Sequence, residues 1–314
     1  MTVQQHEAIK GCAIGEKLME AVEYLDKLHN GVAGGAFSTG YAALDERIGG
    51  LIPRCVLLFA APPGTGLTSW ALGMARRVAL APGGTGVGFL CLGTENSVRP
   101  VVRLLVNQTV GGIRKVRGGA LDSADWQQLL DAAGEVKNAP LYFGAAVEAD
   151  MPTLRKTAEA FQQEHRIRVL FVDNIQHIQP SAKEDGGGRK DASILAGLPA
   201  LAQDLDICVV ALAPLTSSAA TKAASDTELV RELGTWGTGA DVMAVLQVDG
   251  DGRWSGDGGA EVRRARLRIL ENNLGSVGSV MLEPFPDEVF PATVTPAVSA
   301  DDDAGCAEPD MEDY

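Results

Sequence analysis

Residues Leu57-Leu58-Phe59-Ala60-Ala61-Pro62-Pro63-Gly64-Thr65-Gly66-Leu67-Thr68-Ser69 pass from an apolar, strand-like run through a proline- and glycine-rich turn into a helical pattern. Few folds use that order. In an α/β sheet the glycines let successive backbone N–H groups curl around a phosphate at the positive end of the following helix. Such a loop normally adds a lysine for the β and γ oxygens and a Ser or Thr hydroxyl for Mg²⁺. Here Leu67 stands at the lysine position and Thr68 keeps the hydroxyl. Pro63, Gly64, Thr65, Gly66, Leu67, Thr68 and Ser69 therefore form a candidate phosphate cradle that lacks its point charge.

The rest of the chain alternates in the same way. Apolar runs Cys55–Ala61, Val87–Leu92, Leu141–Phe143, Val169–Val172, Cys208–Leu212 and Val242–Val248 read as strands. Helical patterns fall between them near Thr68–Leu80, Ser97–Gln108, Ser123–Val136, Pro152–His165 and Ala192–Asp204. Valine-, leucine- and isoleucine-rich strands alternating with helices predict a mainly parallel sheet covered on both faces. Arg266–Leu270 and Ser279–Leu282, around Leu274-Gly275-Ser276, read as a C-terminal antiparallel hairpin.

This α/β body takes residues 35–290 and is flanked by two different extensions. Within 1–34, Ile14, Leu18, Ala21, Val22, Leu25 and Leu28 share one face of an amphipathic helix, which packs on its own body or on a neighbouring chain. Residues 291–314 hold seven acids and no Lys or Arg, half of the formal net charge of −14. That segment is too poor in large apolar groups to offset its ordering entropy and reads as a solvated, disordered tail.

No run reaches the 18 or so apolar residues of a membrane span, and Met1–Glu7 lacks the charged-then-apolar order of a signal peptide, so a cytoplasmic protein without a membrane role is expected. Five scattered cysteines show neither disulfide nor metal-ligand spacing and read as reduced, mostly core thiols. His6, His29, His165 and His177 show no pairing and read as surface or loop residues.

Arg168-Val169-Leu170-Phe171-Val172-Asp173 sets an acid at the end of a buried strand, where it can hold the Mg²⁺ of a nucleotide through water. Glu95 follows the strand ending at Leu92; it either orients an attacking water or is a first-turn helix acid beside Ser97. Two Gly-rich or polar stretches, Ser181–Asp191 and Ser217–Thr227, follow strand ends, where open α/β sheets bind ligands.

Phe37-Ser38-Thr39-Gly40-Tyr41-Ala42-Ala43-Leu44-Asp45, the phosphate loop, Val172-Asp173-Asn174-Ile175-Gln176, Val209–Leu212, Arg231-Glu232-Leu233-Gly234 and Ala240-Asp241 together resemble the C-terminal, RecA-like ATPase domain of DnaB-type (superfamily 4) replicative DNA helicases. The resemblance implies ATP or another nucleoside triphosphate with Mg²⁺ on Thr68 and Asp173, with Gln176 and Arg231 beside it. It likens the 14–29 helix to a linker that ties a homo-oligomeric ring, and the two polar stretches to channel loops on single-stranded DNA. Those loops carry Lys183, Arg189, Lys190 and Lys222 against Glu184, Asp185, Asp191 and Asp226, so counterion release gives them no evident hold on DNA.

Departures gather at the reacting end. Besides Leu67, the resemblance sets the family's trans-acting lysine and arginine on Glu271 and Asn273, a glutamine on Pro214, and the catalytic glutamate on Thr94 or, one residue on, Glu95. Asp173 and Glu95 are left as the catalytic candidates, with Arg231 as a conceivable replacement cation. Three expectations follow: an auxiliary or scaffold homologue in DNA metabolism, working beside an intact helicase; an active helicase with a displaced cation; or a RecA- or KaiC-like assembly protein with no DNA role.

Overall fold

The computed structural model describes residues 35–106, 119, 121–179, 190–215, 225–237, 239–248 and 265–282. In chain order the elements are α1 (Ala42–Ile48), β1 (Val56–Ala61), α2 (Leu67–Leu80), β2 (Gly86–Leu92), α3 (Val98–Val106), α4 (Ser123–Val136), β3 (Leu141–Ala146), β4 (Ala149–Asp150), α5 (Met151–His165), β5 (Ile167–Asp173), β6 (Ile178–Gln179), α6 (Lys190–Leu205), β7 (Cys208–Pro214), α7 (Asp226–Gly237), β8 (Val242–Val248), β9 (Ala265–Asn272) and β10 (Gly278–Leu282). The 14–29 helix, the 291–314 tail and most of the two candidate channel loops lie outside the described residues.

Eight strands form one sheet in the order β10-β9-β8-β1-β7-β5-β2-β3, parallel from β8 to β3 and antiparallel through β9 and β10. Along β1, Leu57, Phe59 and Ala61 enter one core while Val56, Leu58 and Ala60 enter the other, so the strand must be covered on both sides. The first core takes α1 and α2; the second takes α5, α6 and α7 through Leu154, Leu201 and Leu229.

The mainly parallel sheet with its terminal hairpin is the expected architecture. β3 continues to Ala146, three residues past its predicted end, because Cys91 and Leu92 of β2 extend the ladder. The pair β4/β6 and the helices α1 and α7 were not in the sequence-based outline. β4, β6 and α1 are short, and α1 and α7 sit in segments marked by motif residues rather than by a long apolar stripe.

The Thr39-Gly40-Tyr41 motif clamps the phosphate-loop helix. Asp45 accepts the Thr39 N–H (2.9 Å) and the Ser38 hydroxyl (2.6 Å). Gly40 adopts φ +81°, and the space its Cβ would need is filled by the Arg77 stem, whose guanidinium lies 4.3 Å from the Tyr41 ring centroid. Tyr41 and Phe59 in turn flank Trp70 of α2.

At the other edge, the β9–β10 turn is latched to the body. Asn272 donates to the carbonyl of Arg47 (2.9 Å) and Arg47 Nη1 donates to that of Val277 (3.1 Å). Asp241 accepts the Val56 N–H at 2.8 Å through its carboxylate and the Asn273 N–H at 2.8 Å through its carbonyl, joining β1 to the turn.

Candidate nucleotide site

Gly64 and Gly66 carry φ +80° and +96°, left-handed values that only glycine adopts without strain, and they bend the chain from β1 into α2. Gly66 is the N-cap of α2 and supplies no side-chain acceptor, so the first amides of the helix, including those of Leu67 and Thr68, keep the open donors of a helix start. That arrangement fits an anion. Leu67 lies against the core beneath the loop rather than adding charge to it.

Thr68, one residue on, hydrogen-bonds the Asp173 carboxylate at the end of β5. Burial pushes the Asp173 pKa up, while the Thr68 hydrogen bond, the Arg103 guanidinium and His177 pull it back. Its neighbour on β2, Cys91, is pushed up to about 12 by burial and by the Asp173 charge, with Arg103 again opposing. Three groups, from α2, α3 and the turn after β5, thus bear on one carboxylate.

Thr68 and Asp173 are brought together; the other candidates are more dispersed. Glu95 is exposed and lies before α3, whose first turn is held by Asn96 accepting the Val98 N–H (3.0 Å). It therefore lies outside the first turn of α3. The Thr94 hydroxyl accepts the Asn96 N–H (3.2 Å) in the same turn. Gln176 is exposed in the 3-10 turn Ile175–His177. Arg231 is exposed on α7, where its charge acts on Glu228 of the same helix. Glu271 and Asn273 are exposed at the end of β9 and in the latched turn.

The model for the DnaB-like helicase C-terminal domain matches residues 36–288. The chain belongs to that family. It is 30% identical over 247 residues to the replicative DNA helicase DnaB of Pasteurella multocida, and 28% identical over 242 residues to that of Geobacillus stearothermophilus. These alignments cover 76% and 75% of this chain and 52% of each relative, so the chain spans about half the length of the curated relatives it matches. Among solved structures it resembles the ATPase domain of G40P (TM-score 0.71, 21% identity, covering 88% of this chain and 97% of that one). It resembles equally a DnaB-like replicative helicase described with its interactions with primase (TM-score 0.71, 21% identity, 88% and 66%). The fold is the RecA-like one of DnaB-like helicase domains.

For a DnaB-like domain the residue that sequence reasoning missed is Arg103. It is exposed, makes no hydrogen bond or ion pair with a described residue, and sits on α3, which packs against α2. Helical phase was the available signal: Pro100 and Leu104 are buried, which fixes the rotation of α3. Among the described residues no group of three or more His, Cys, Asp or Glu converges, so a Mg²⁺ here would rest on Thr68, Asp173 and the nucleotide's own oxygens.

The Asp173 environment sets a stability prediction. A carboxyl whose folded pKa is raised favours the fold while protonated, and that contribution is lost as pH rises through the folded value. Asp173→Asn should therefore unfold at higher temperature than the wild type near neutral pH without nucleotide, with the gain shrinking on acidification. A melting series from pH 4 to 8 measures it, and a variant less stable at pH 7 would contradict the assignment.

Proposed function

We propose that this chain is a DnaB-like helicase homologue that binds a nucleoside triphosphate with Mg²⁺, hydrolyses it little or not at all, and acts as an auxiliary or scaffold oligomer in DNA metabolism. The observation that carries this reading is the phosphate loop itself. Its backbone cradle and the Thr68–Asp173 pair are kept, whereas Leu67 adds no charge and Glu271 and Asn273 offer no cation from the hairpin. Phosphoryl transfer needs positive charge on the equatorial oxygens, so a site in this state holds a ligand better than it turns one over.

A second reading, an ATP-dependent DNA helicase with a displaced cation, draws support from Arg103, a guanidinium within electrostatic reach of Asp173 and without an ion pair among the described residues. Nucleotide titration with and without Mg²⁺, followed by hydrolysis assays with single-stranded DNA, separates the two. We expect Mg²⁺-dependent binding with turnover near background. Hydrolysis stimulated by DNA and abolished by Asp173→Asn would establish the second reading instead.

The oligomer in this proposal is a ring or filament joined through the 14–29 helix. Supporting it, Val98 and Val102 on α3 and Trp126 and Leu130 on α4 are exposed apolar side chains on two helices that pack together. A mixed assembly with an intact helicase, whose lysine and arginine complete the shared sites, or with another replication protein, fits the same surface chemistry. No described helix is long and apolar enough to cross a membrane.

A further inference from the structure

The turn after β5 leaves polar groups unspent. Asn174 Oδ1 is buried without a hydrogen-bond partner among the described residues. Three residues on, the half-buried His177 imidazole has no side-chain hydrogen bond to a described residue; only its backbone N–H is used, donating to the Asn174 carbonyl (3.3 Å). A buried carboxamide oxygen is normally satisfied, and the half-buried imidazole, which acts electrostatically on Asp173, has ring nitrogens that can take a further partner at the strand ends.

The ring's position is defined by Gly93. That residue has φ +86°, and a Cβ on it would lie 2.7 Å from His177 Nε2 and 3.0 Å from Cδ2 and Cε1. The Nε2 edge is thus seated over the carboxyl end of β2, where Gly93 and Thr94 are held by donating to the carbonyls of Val147 and Ala146. Asp173, with Thr68 on it, ends the adjoining strand β5. In an open α/β sheet ligands lie beyond these strand ends. The carboxyl ends of β2 and β5 therefore carry an imidazole beside Asp173, next to Thr94, whose hydroxyl accepts the Asn96 N–H within its own turn.

We infer that His177 is a ligand-contacting residue of the nucleotide site, its imidazole hydrogen-bonding the terminal phosphoryl group of a bound triphosphate or a water on it. This rests on the nucleotide-binding reading above. The neutral ring suffices, since one ring nitrogen carries a proton and the other accepts. The contact selects for the γ-phosphoryl group, because a diphosphate held in the same cradle ends short of it.

The test compares affinities for a non-hydrolysable Mg-ATP analogue and for Mg-ADP in the full-length wild type, His177→Leu and His177→Gln, after each is shown to melt cooperatively. A hydrogen bond to a charged group is worth about tenfold or more in affinity. His177→Leu should weaken the triphosphate about tenfold and leave ADP within about twofold, while His177→Gln restores most of the loss. If His177→Leu does not fold, His177→Phe makes the same comparison with ring volume kept. A leucine or phenylalanine variant that binds both nucleotides like wild type, or loses both equally, reduces His177 to a filler over Gly93 and overturns the inference. A wild type that binds neither nucleotide fails the underlying reading, and the inference falls with it.

Discussion

Leu67→Lys is expected to tighten Mg-triphosphate binding by about ten- to a hundredfold while leaving turnover poor. The gain follows from chemistry: an ammonium against phosphate oxygens makes a charge-assisted hydrogen bond of roughly 1.5–3 kcal/mol. The cost to the fold is small. Leu67 is only partly buried at the first position of α2, and a lysine stem can lie along the same apolar surface with its ammonium over the loop. Turnover stays low because the hairpin positions still carry Glu271 and Asn273, and a finger arginine alone contributes on the order of 10³-fold. Calorimetric titration reads the first half and a single-turnover assay the second. Unchanged affinity would mean that residue 67 does not face the phosphates; full activity from this one substitution would show that Asn273 is not a lost finger.

Arg103 sharpens that experiment. If its guanidinium already supplies the cis charge, the new lysine adds less than tenfold, and Arg103→Gln in the Leu67→Lys background costs little. If it does not, Leu67→Lys shows its full effect and Arg103→Gln leaves wild-type affinity unmoved. Measuring the two substitutions singly and together gives their coupling directly.

The strands, and the turn that carries the chain from β1 into α2, were readable because they rest on local pattern. β1, β2, β5 and β7 are continuous apolar runs, and Gly64, Gly66, Thr68 and Asp173 occupy positions that a strand–loop–helix unit dictates. What the pattern hid depends on the packing of elements distant in sequence. Arg103 looks like an ordinary charged residue on an amphipathic helix until α3 packs on α2 and brings it within reach of Asp173. His177 looks like a loop histidine until Gly93, 84 positions earlier, leaves room for its ring. Glu95, a candidate in sequence as a carboxylate after a strand end, lies on the exposed turn before α3, where Asn96 accepts the Val98 N–H.

Trp126→Asp combined with Leu130→Asp should convert the assembly to monomers. Both side chains point to solvent in the isolated chain, 56% and 64% exposed, and they stand four residues apart on one face of α4. Val98 and Val102 repeat that spacing on α3, at 60% and 41% exposure. A single exposed apolar residue is ordinary, but four on two packed helices are the apolar surface that the proposed seam uses. The proposed occupant is the 14–29 helix of a second copy, whose stripe of Ile14, Leu18, Ala21, Val22, Leu25 and Leu28 has matching helical spacing. Buried aromatic anchors commonly account for 2 kcal/mol or more of binding each, and two carboxylates in an apolar seam add a desolvation penalty, so the loss should be complete at micromolar protein. The fold should tolerate both changes, since neither side chain belongs to a core. Native mass measurement with nucleotide gives the answer. A variant that keeps wild-type mass excludes this patch as the seam. An otherwise wild-type chain that still assembles when residues 1–34 are deleted would show that the 14–29 helix is not what the patch receives.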